Sequence, residues 1–450
     1  MNIPAVNLEP MSGERIPDAS SRIVAHYRRV ADGLPGGTVA SIKALRDEAI
    51  ALFAAKGLPN RRVEEWKYTD LRRLVTEAYA PAAAQATLDT AAVDTALGDL
   101  ARLDAHRLVF VNGHLNQAFS SADGLGADIE LTSLAKALYA PADWVLAALG
   151  KVNPQPDDIV GLVNTALMSD GFVLKLGEGA ALDKPLLIVN VTAGDTALAA
   201  TTRNLIVAEA GAVATIVETH LSIGSAPAQV NAVTEVVAGP GTSLRHYKLA
   251  VENEATQHLA SVFVQLAEDA DYLAVNFTDG AALSRQQTFL RFAGAGARGH
   301  FYGAQLLKDR QHCDMTLVID HDAVGCESRE HVKAVLDDHA HGVFQAKVIV
   351  RPGAQQTDGR QMAQSLLLTD DAEFDAKPEL EIYADDVKCN HGATFGSLDE
   401  NQIFYLRARG ISEEEARSLL IQAFLAEIFD HIEHDGLREV LAARVADRLA

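Results

Sequence analysis

Three cysteines in 450 residues, Cys313, Cys326 and Cys389, are too few for a disulfide framework. Aromatic residues make up only 6% of the chain, so its core is expected to be aliphatic, built from the abundant Ala, Val and Leu. No run of about 18 apolar residues is present to span a bilayer. The opening stretch MNIPAVNLEPMSGER lacks a basic region followed by an apolar one, so a secretory leader of the usual kind is not expected. Together these absences predict a cytoplasmic, soluble chain without a membrane partner. Basic residues are also short: 39 Lys and Arg stand against 61 Asp and Glu, a net charge of −22. That balance argues against a nucleic-acid partner and favours protein or small-molecule partners. No Walker A sequence occurs, so no nucleotide is expected to be bound by that motif.

What is present can bury a large interior, with 48% hydrophobic and 22% charged residues. A chain this long exceeds what one core normally serves, unless the fold is a solenoid that grows along an axis. The first hundred residues read as helical. Thr38 is placed to cap a helix carrying Val39, Ile42, Leu45, Ala49 and Leu52 at helical spacing, with Gly57 as its stop. The segment RRVEEWKYTDLRRL, from Arg61 to Leu74, reads as a surface helix or packing segment anchored by Trp66 and Tyr68. Residues 82–104 are compatible with a helix or a loose connection. Asn112-Gly113 inside RLVFVNGHLNQAF is a hairpin signal between two short strands. A helix is expected around 132–148, before a break at Asn153–Asp158.

From about Asp170 the texture changes to short apolar or alternating runs. The turns between them end at Ala180, Ala212, Thr242, Asp271 and Ala297, spaced 32, 30, 29 and 26 residues apart. Helical signals are absent between them. A loose repeat of strands and turns fits a parallel β-helix or related β-solenoid better than a sandwich. One turn, Gly294-Ala-Gly296-Ala-Arg-Gly299, matches the dinucleotide fingerprint by letter. That fingerprint must open a helix, whereas the strand-like HFYGAQL follows, so a repeat turn is the preferred reading. The last forty residues return to helix. Ser412 and Glu415 make a capping box, and Ala416, Leu419, Leu420, Ala423, Phe424 and Ile428 form an apolar stripe.

Three groups could carry chemistry. Residues 300–341 hold His300, His312, His321, His331, His339 and His341 with Cys313, Cys326, Asp314, Asp320 and Asp322. Without zinc-finger spacing, the group reads as polar residues on an outer face, with a metal stripe as the alternative. His431, His434 and Asp435 read as a solvent-facing helix end. Cys389 and His391, within PELEIYADDVKCNHGATFGSLDENQIFYLRARGIS, make the strongest local case. Two residues apart on an extended chain, both side chains share one face with Val387. Such a pair can bind a soft metal, or act as nucleophile and base in a stand-alone enzyme. Equally, Cys389 could be a small buried hydrophobe. Two ligands do not close a metal site, and clusters normally need four.

The stretch from GAQQTDGRQMAQSLLLTDD through to Ser412, approached by His321–Phe344, resembles the SufB/SufD family of the SUF iron–sulfur cluster assembly machinery. GLPNRRVEEWKYTDL, Gly57–Leu71, is similar to the SufD type within it, with the SufB type as the alternative. The resemblance implies a mainly β fold: a right-handed parallel β-helix core (151–405) flanked by N-terminal (1–150) and C-terminal (406–450) helical domains. It implies a non-enzymatic scaffold subunit, paired with a SufB-like paralogue through the β-helix and with a SufC-like ABC ATPase through the C-terminal helices. Phe404, Tyr405, Leu419, Leu420 and Phe424 are the expected docking residues, and a homodimer is possible when the chain is isolated. The resemblance further implies a transient iron–sulfur cluster shared with a partner, with His391 first and Cys389 second as interface ligands.

Overall fold

The computed structural model describes residues 18–84, 88–153, 155 and 158–449. The opening fifteen residues, and Pro154, Pro156 and Asp157 of the expected break, lie outside them. From Phe172 onward the chain alternates between two sheets. One has ten strands, running from Lys388–Gly396 at one edge to His106–Val111 and the short His114–Leu115 at the other. The second has nine, from Glu373–Ile382 to Ile129–Ser133. Each successive strand pairs in parallel with the strand two before it, as in Glu218 opposite Lys248 and Lys248 opposite Asn276. The result is a parallel β-solenoid, as the repeat of small-residue turns leads one to expect.

All five of those turns fall where the nine-stranded sheet hands the chain to the ten-stranded one. The Gly294–Gly299 turn is among them, and the strand Arg298–Leu307 follows it rather than a helix. Its glycine is required by packing: a Cβ on Gly294 would lie 2.0 Å from the backbone nitrogen of Glu268 in the coil beneath. The hairpin at Asn112-Gly113 also forms, pairing Phe110 with Leu115. Both turn residues are left-handed, at φ 53° and 81°, as a type I′ turn demands.

Period-two alternation divides each strand between an interior and an outer layer. Leu186, Ile188, Ile216, Leu244, Val264, Leu317 and Val348 meet inside the solenoid. Residues of the opposite parity on the ten-stranded sheet, among them Val189, Val217 and Tyr247, face out and are covered by Leu425, Ile428, Ile432 and Leu441 of the tail. The helices concerned are Glu413–Phe429 and Asp435–Leu449. On the nine-stranded sheet, Leu259 and Leu283 lie under Phe53, Trp66, Ile159 and Val160. At roughly 1.5–3 kcal/mol for each large apolar side chain buried, both helical layers are integral to the fold.

Several local expectations need correction. The second N-terminal helix is Ala40–Lys56 with Val39 at its cap and no side-chain capping bond, so Thr38 does not serve; Gly57 stops it at φ 64° as expected. Arg61–Leu74 is not one helix but a 3-10 turn, Glu64–Trp66, and a single helical turn, Leu71–Leu74. The region 132–148 splits into Leu134–Tyr139 and Asp143–Ala148, because Pro141 cannot continue a helix. Within 82–104, the helix Thr90–Leu97 and a 3-10 turn Gly98–Arg102 form. In the tail, Ser412 caps Glu413–Phe429 through Glu415 N. The face that packs inward, however, is Ala416, Ile421, Leu425, Ile428 and Phe429. Leu419 is left exposed, with Leu420 and Phe424 half-buried. Among the described residues, no helix is long and apolar enough to cross a membrane.

Candidate functional site at the open end of the solenoid

Both sheets stop at the same end. Lys388–Gly396 has a strand neighbour on one side only, Asp358–Leu367, and Glu373–Ile382 likewise pairs only with His341–Val350. Two unsatisfied strand edges therefore lie side by side, a template for a further strand from another chain. Around them Ile382, Tyr383 and Phe395 are exposed, Phe395 by 79%.

Cys389 and His391 sit on that edge strand. Their parity is the inward one: Val387 and Cys389 pack against the interior cluster. Cys389 is half-buried, and burial pushes its thiol up, the reverse of an activated nucleophile. His391 is exposed, since no further coil covers it. Its register column leads back through Gln361 to Glu330, one coil at a time. Glu330 is 1% exposed and neither carboxylate oxygen makes a hydrogen bond of ordinary geometry. Burial outweighs the weaker pull of Ser328 and Arg329 and pushes its carboxyl up to about 8. Gln361 Nε2 donates to Glu379 O at 3.3 Å, while its Oε1 stays unpartnered. A protonated acid and an amide thus stand behind the exposed imidazole. Cys389 and His391 belong to no group of three metal-ligating side chains among the described residues.

Sequence reasoning missed Glu330 and Gln361, although the repeat points to them: stepping back one coil at a time from His391 reaches Gln361, then Glu330. The His-rich region needs a different correction. Most of its histidines do face outward: His300, His312, His331 and His341 have the parity opposite to the interior Phe301, Met315, Val332 and Phe344, and His339 is exposed. They form no metal stripe among the described residues. Cys313 and Cys326 are buried, and His321 is buried and stacked on Phe292 at 4.2 Å. His312 bonds Thr69 Oγ1 at 2.9 Å, beneath the N-terminal layer. His431 stacks on Tyr302 with ring centroids 3.5 Å apart, and His434 Nδ1 accepts from Leu437 N; both serve packing and helix capping.

The tail residues divide. Phe404, Tyr405 and Leu419 are exposed by 74, 56 and 41%. Tyr405 and Leu420 border one shallow hollow with Asn401, Gln402 and Leu406. Phe424 is partly committed to its own chain, because Lys333 Nζ stands 4.3 Å above its ring and 2.5 Å from Glu427. The helix is therefore apolar on two faces. One holds the solenoid; on the other Leu419 is exposed, while Leu420 and Phe424 pack partly against the same cluster.

The Trp66 segment is a clamp. Arg285, buried on the outer face of the nine-stranded sheet, stacks 3.8 Å from the Trp66 ring and donates to Glu65 O at 2.8 Å. It also pairs with buried Asp314, which accepts from Thr69 Oγ1.

An open-ended parallel β-solenoid, layered with helices from both termini and carrying a Cys-x-His pair on its exposed edge strand, is the class of protein that these features define. Comparison with known proteins agrees. Residues 190–424 match the SufBD core domain of SUF system FeS cluster assembly, and residues 18–188 match the SufBD protein N-terminal region. The chain belongs to the SufBD family, whose members function in iron–sulfur cluster assembly. It is 33% identical to the iron-sulfur cluster assembly protein SufD of Escherichia coli (strain K12), over 87% of this chain and 90% of that one. A SufBD family protein of Synechocystis sp. (strain ATCC 27184 / PCC 6803 / Kazusa) is 31% identical, over 90% of each chain. A chloroplastic protein of Arabidopsis thaliana, ABCI7, is 33% identical over 46% of this chain and 44% of its own.

Proposed function

We propose that this chain is a non-enzymatic, SufD-type scaffold subunit that supports a nascent iron–sulfur cluster at the open end of its solenoid. The observation that carries the reading is the half-site itself. His391 and Cys389 lie on a strand with one free edge, with too few ligands of their own, where a second chain can add both a strand and further ligands. A SufB-like paralogue is the partner assigned to that edge, and a second copy of this chain can occupy it when the paralogue is absent. The cluster is cargo, held in transit and shared across the interface. His391 is exposed and free to ligate. Cys389, with its raised thiol and its packing on the interior, is the secondary participant.

The exposed apolar surface of the tail, with Phe404 and Tyr405 of the helix Glu400–Arg407 and Leu419 and Leu420 of Glu413–Phe429, is assigned to a SufC-like ABC ATPase. Helical layer, solenoid and helical tail, divided near residues 150 and 405, then act as three working parts. ATP-driven movement of the tail would be transmitted to the rim through the strands the tail covers. A cytoplasmic location belongs to this reading, although the Arabidopsis relative is a chloroplastic protein. A stand-alone thiol enzyme is disfavoured because burial raises Cys389. The test is His391→Ala in a complex reconstituted with paralogue and ATPase. Cluster formation, followed by visible absorption, should fall at least tenfold while the complex still assembles. A normal rate would remove His391 from the site.

A further inference from the structure

The interior is apolar over much of its length, but one stretch far from the open end is polar. By parity with Ile216 and Leu244, Glu218, His220, His246 and Lys248 face inward, joined by His258 of the strand Thr256–Leu266. Glu252 comes from the turn between the last two strands. All six side chains are buried. Glu218 is fully engaged: it accepts from His220 Nε2 at 2.5 Å and His246 Nε2 at 3.2 Å, with Lys248 Nζ at 3.5 Å.

The remaining three are not. With its Nε2 proton directed at Glu218, neutral His220 has a bare lone pair on Nδ1, and that atom has no partner among the described residues. Burial first, then Lys248 and His258, lowers His220 to about 4, so the ring is neutral at pH 7. His258 Nδ1 bonds Glu252 Oε1, which leaves His258 Nε2 and Glu252 Oε2 unpartnered. The two imidazoles lie edge to face with centroids 4.5 Å apart. One donor atom from each of His220, Glu252 and His258 lies within 4.8 Å of the other two. His220 and Glu252 also border a cavity of about 10 Å³, together with Asn190, whose Nδ2 is unpartnered too. That space suits a single small occupant.

We propose that His220, Glu252 and His258 form a buried site for one divalent first-row transition metal ion of the zinc or ferrous kind. Two imidazoles and a carboxylate match the ligand preferences of those ions, whereas magnesium and calcium call for oxygen sets. Glu218 supplies the carboxylate that a ligating histidine normally bonds through its other nitrogen, and His246 and Lys248 hold that carboxylate in turn. Binding would draw the three donors from their present spacing to about 3.3 Å apart, given metal–nitrogen bonds of about 2.0–2.1 Å. It would tie two strands and a turn together inside the coil. The strand Val213–Ile223, which carries Glu218 and His220, is the seventh of the ten-stranded sheet counted from Lys388–Gly396, so the site is independent of the half-site there.

The test uses the full chain carrying Cys389→Ser and His391→Ala, so that the rim cannot contribute ligands. It is purified from cells grown with added Co²⁺ as the probe. One Co²⁺ per chain, with visible bands and X-ray absorption showing nitrogen and oxygen neighbours but no sulfur, is the expected result. Adding Glu252→Gln and His258→Gln should remove the bound Co²⁺ and its bands while leaving the circular dichroism of the folded chain. Sulfur in the coordination shell, absence of Co²⁺ from the folded chain, or unchanged Co²⁺ content in the fourfold variant would each overturn the proposal. The X-ray absorption reads the unmutated interior, so it decides the matter even if the fourfold variant fails to fold.

Discussion

Replacing Arg285 by Met should loosen the N-terminal clamp by about 4 kcal/mol without disturbing the solenoid beneath it. Arg285 and Asp314 are both wholly buried, and removing one member of such a pair typically costs about 3–5 kcal/mol, because the other charge stays desolvated. Loss of the stack on Trp66 would add up to about 2 kcal/mol if it were independent. Contacts that share one guanidinium do not add, however. Asp314 also keeps its bonds from Thr69, from Thr316 at 2.8 Å and from Gln345 at 3.3 Å, which holds the total near the middle of the range. A 450-residue layered chain is not expected to unfold in one step, so global melting is the wrong assay. Hydrogen exchange is local. The amides of Thr69, Leu74 and Val75, which bond Trp66, Asp70 and Leu71 carbonyls, should exchange about a thousandfold faster, at one decade per 1.4 kcal/mol. Strands of the ten-stranded sheet should be unchanged. The double variant Arg285→Met, Asp314→Leu should regain at least half of the lost protection, since an apolar pair replaces a buried ionic one at little cost. Unchanged exchange in the single variant, or no recovery in the double, would refute the clamp.

Glu330 makes stability depend on pH. Its folded pKa of about 8 exceeds the ordinary 4.5, so the folded chain keeps a proton that the unfolded chain has already released. The stabilisation is full below about pH 4.5 and is lost as pH rises to 8, by at most ~5 kcal/mol at ~1.4 kcal/mol per pH unit. Melting temperature of wild type minus that of Glu330→Gln should therefore fall across pH 5 to 8; a flat difference would exclude the buried acid. Gly294→Ala should cost about 3 kcal/mol or more, because the new Cβ meets backbone at 2.0 Å. Gly353→Ala, where nothing lies within 4 Å, should be near neutral by denaturant titration. Phe404→Glu with Leu419→Glu should weaken ATPase capture at least tenfold with an unchanged melting curve; equal capture would move the docking face elsewhere.

Truncating the tail would be a poor substitute for those point changes. Val189, Val217 and Tyr247 of the ten-stranded sheet are covered by Leu425, Ile428, Ile432 and Leu441. A deletion after Gly410 would expose that whole layer, so lost ATPase binding would report misfolding as readily as lost docking.

How much of this could be read from residues alone depended on what set each feature. The solenoid was legible because its corners need small residues at nearly constant intervals, and the corner at Gly294 leaves no room for a Cβ. The shared face of Val387, Cys389 and His391 was legible too, because alternation survives to the last strand, whereas which face it is took the structure to decide. Helix boundaries were less so: Thr38 has the right chemistry for a cap, but the chain turns one residue later. The tail stripe was misjudged because the apolar residues of Glu413–Phe429 are spread over more than one face, so periodicity could not say which face meets the solenoid. Among the histidines of 300–341, His321 and His312 were the ones misjudged. Alternation turns His321 to the interior, and the outer face carrying His312 is covered by the N-terminal layer. Density along the sequence then says nothing of proximity.

Register between coils does report proximity, and it carries the argument furthest at the rim. His391, Gln361 and Glu330 lie about thirty residues apart in sequence but form one column of rungs. Below them Phe301 continues the column and closes it with an apolar ring. A further rung from another chain would extend this column past His391, placing its own inward residue against the imidazole. The spacing between neighbouring strands is about 4.8 Å, too long for a direct bond but short enough for one metal ion to bridge two side chains. A partner strand that pairs with Lys388–Gly396 would thus deliver ligands in register with His391 and Cys389, whereas one docked elsewhere on the chain would not. Edge pairing and ligand completion are therefore a single geometric event. Lys388 N–H bonds Thr357 O of the chain's own neighbouring strand, so the odd residues of Lys388–Gly396 present their N–H groups at the free edge, and a Pro placed at Ala393 should abolish both together.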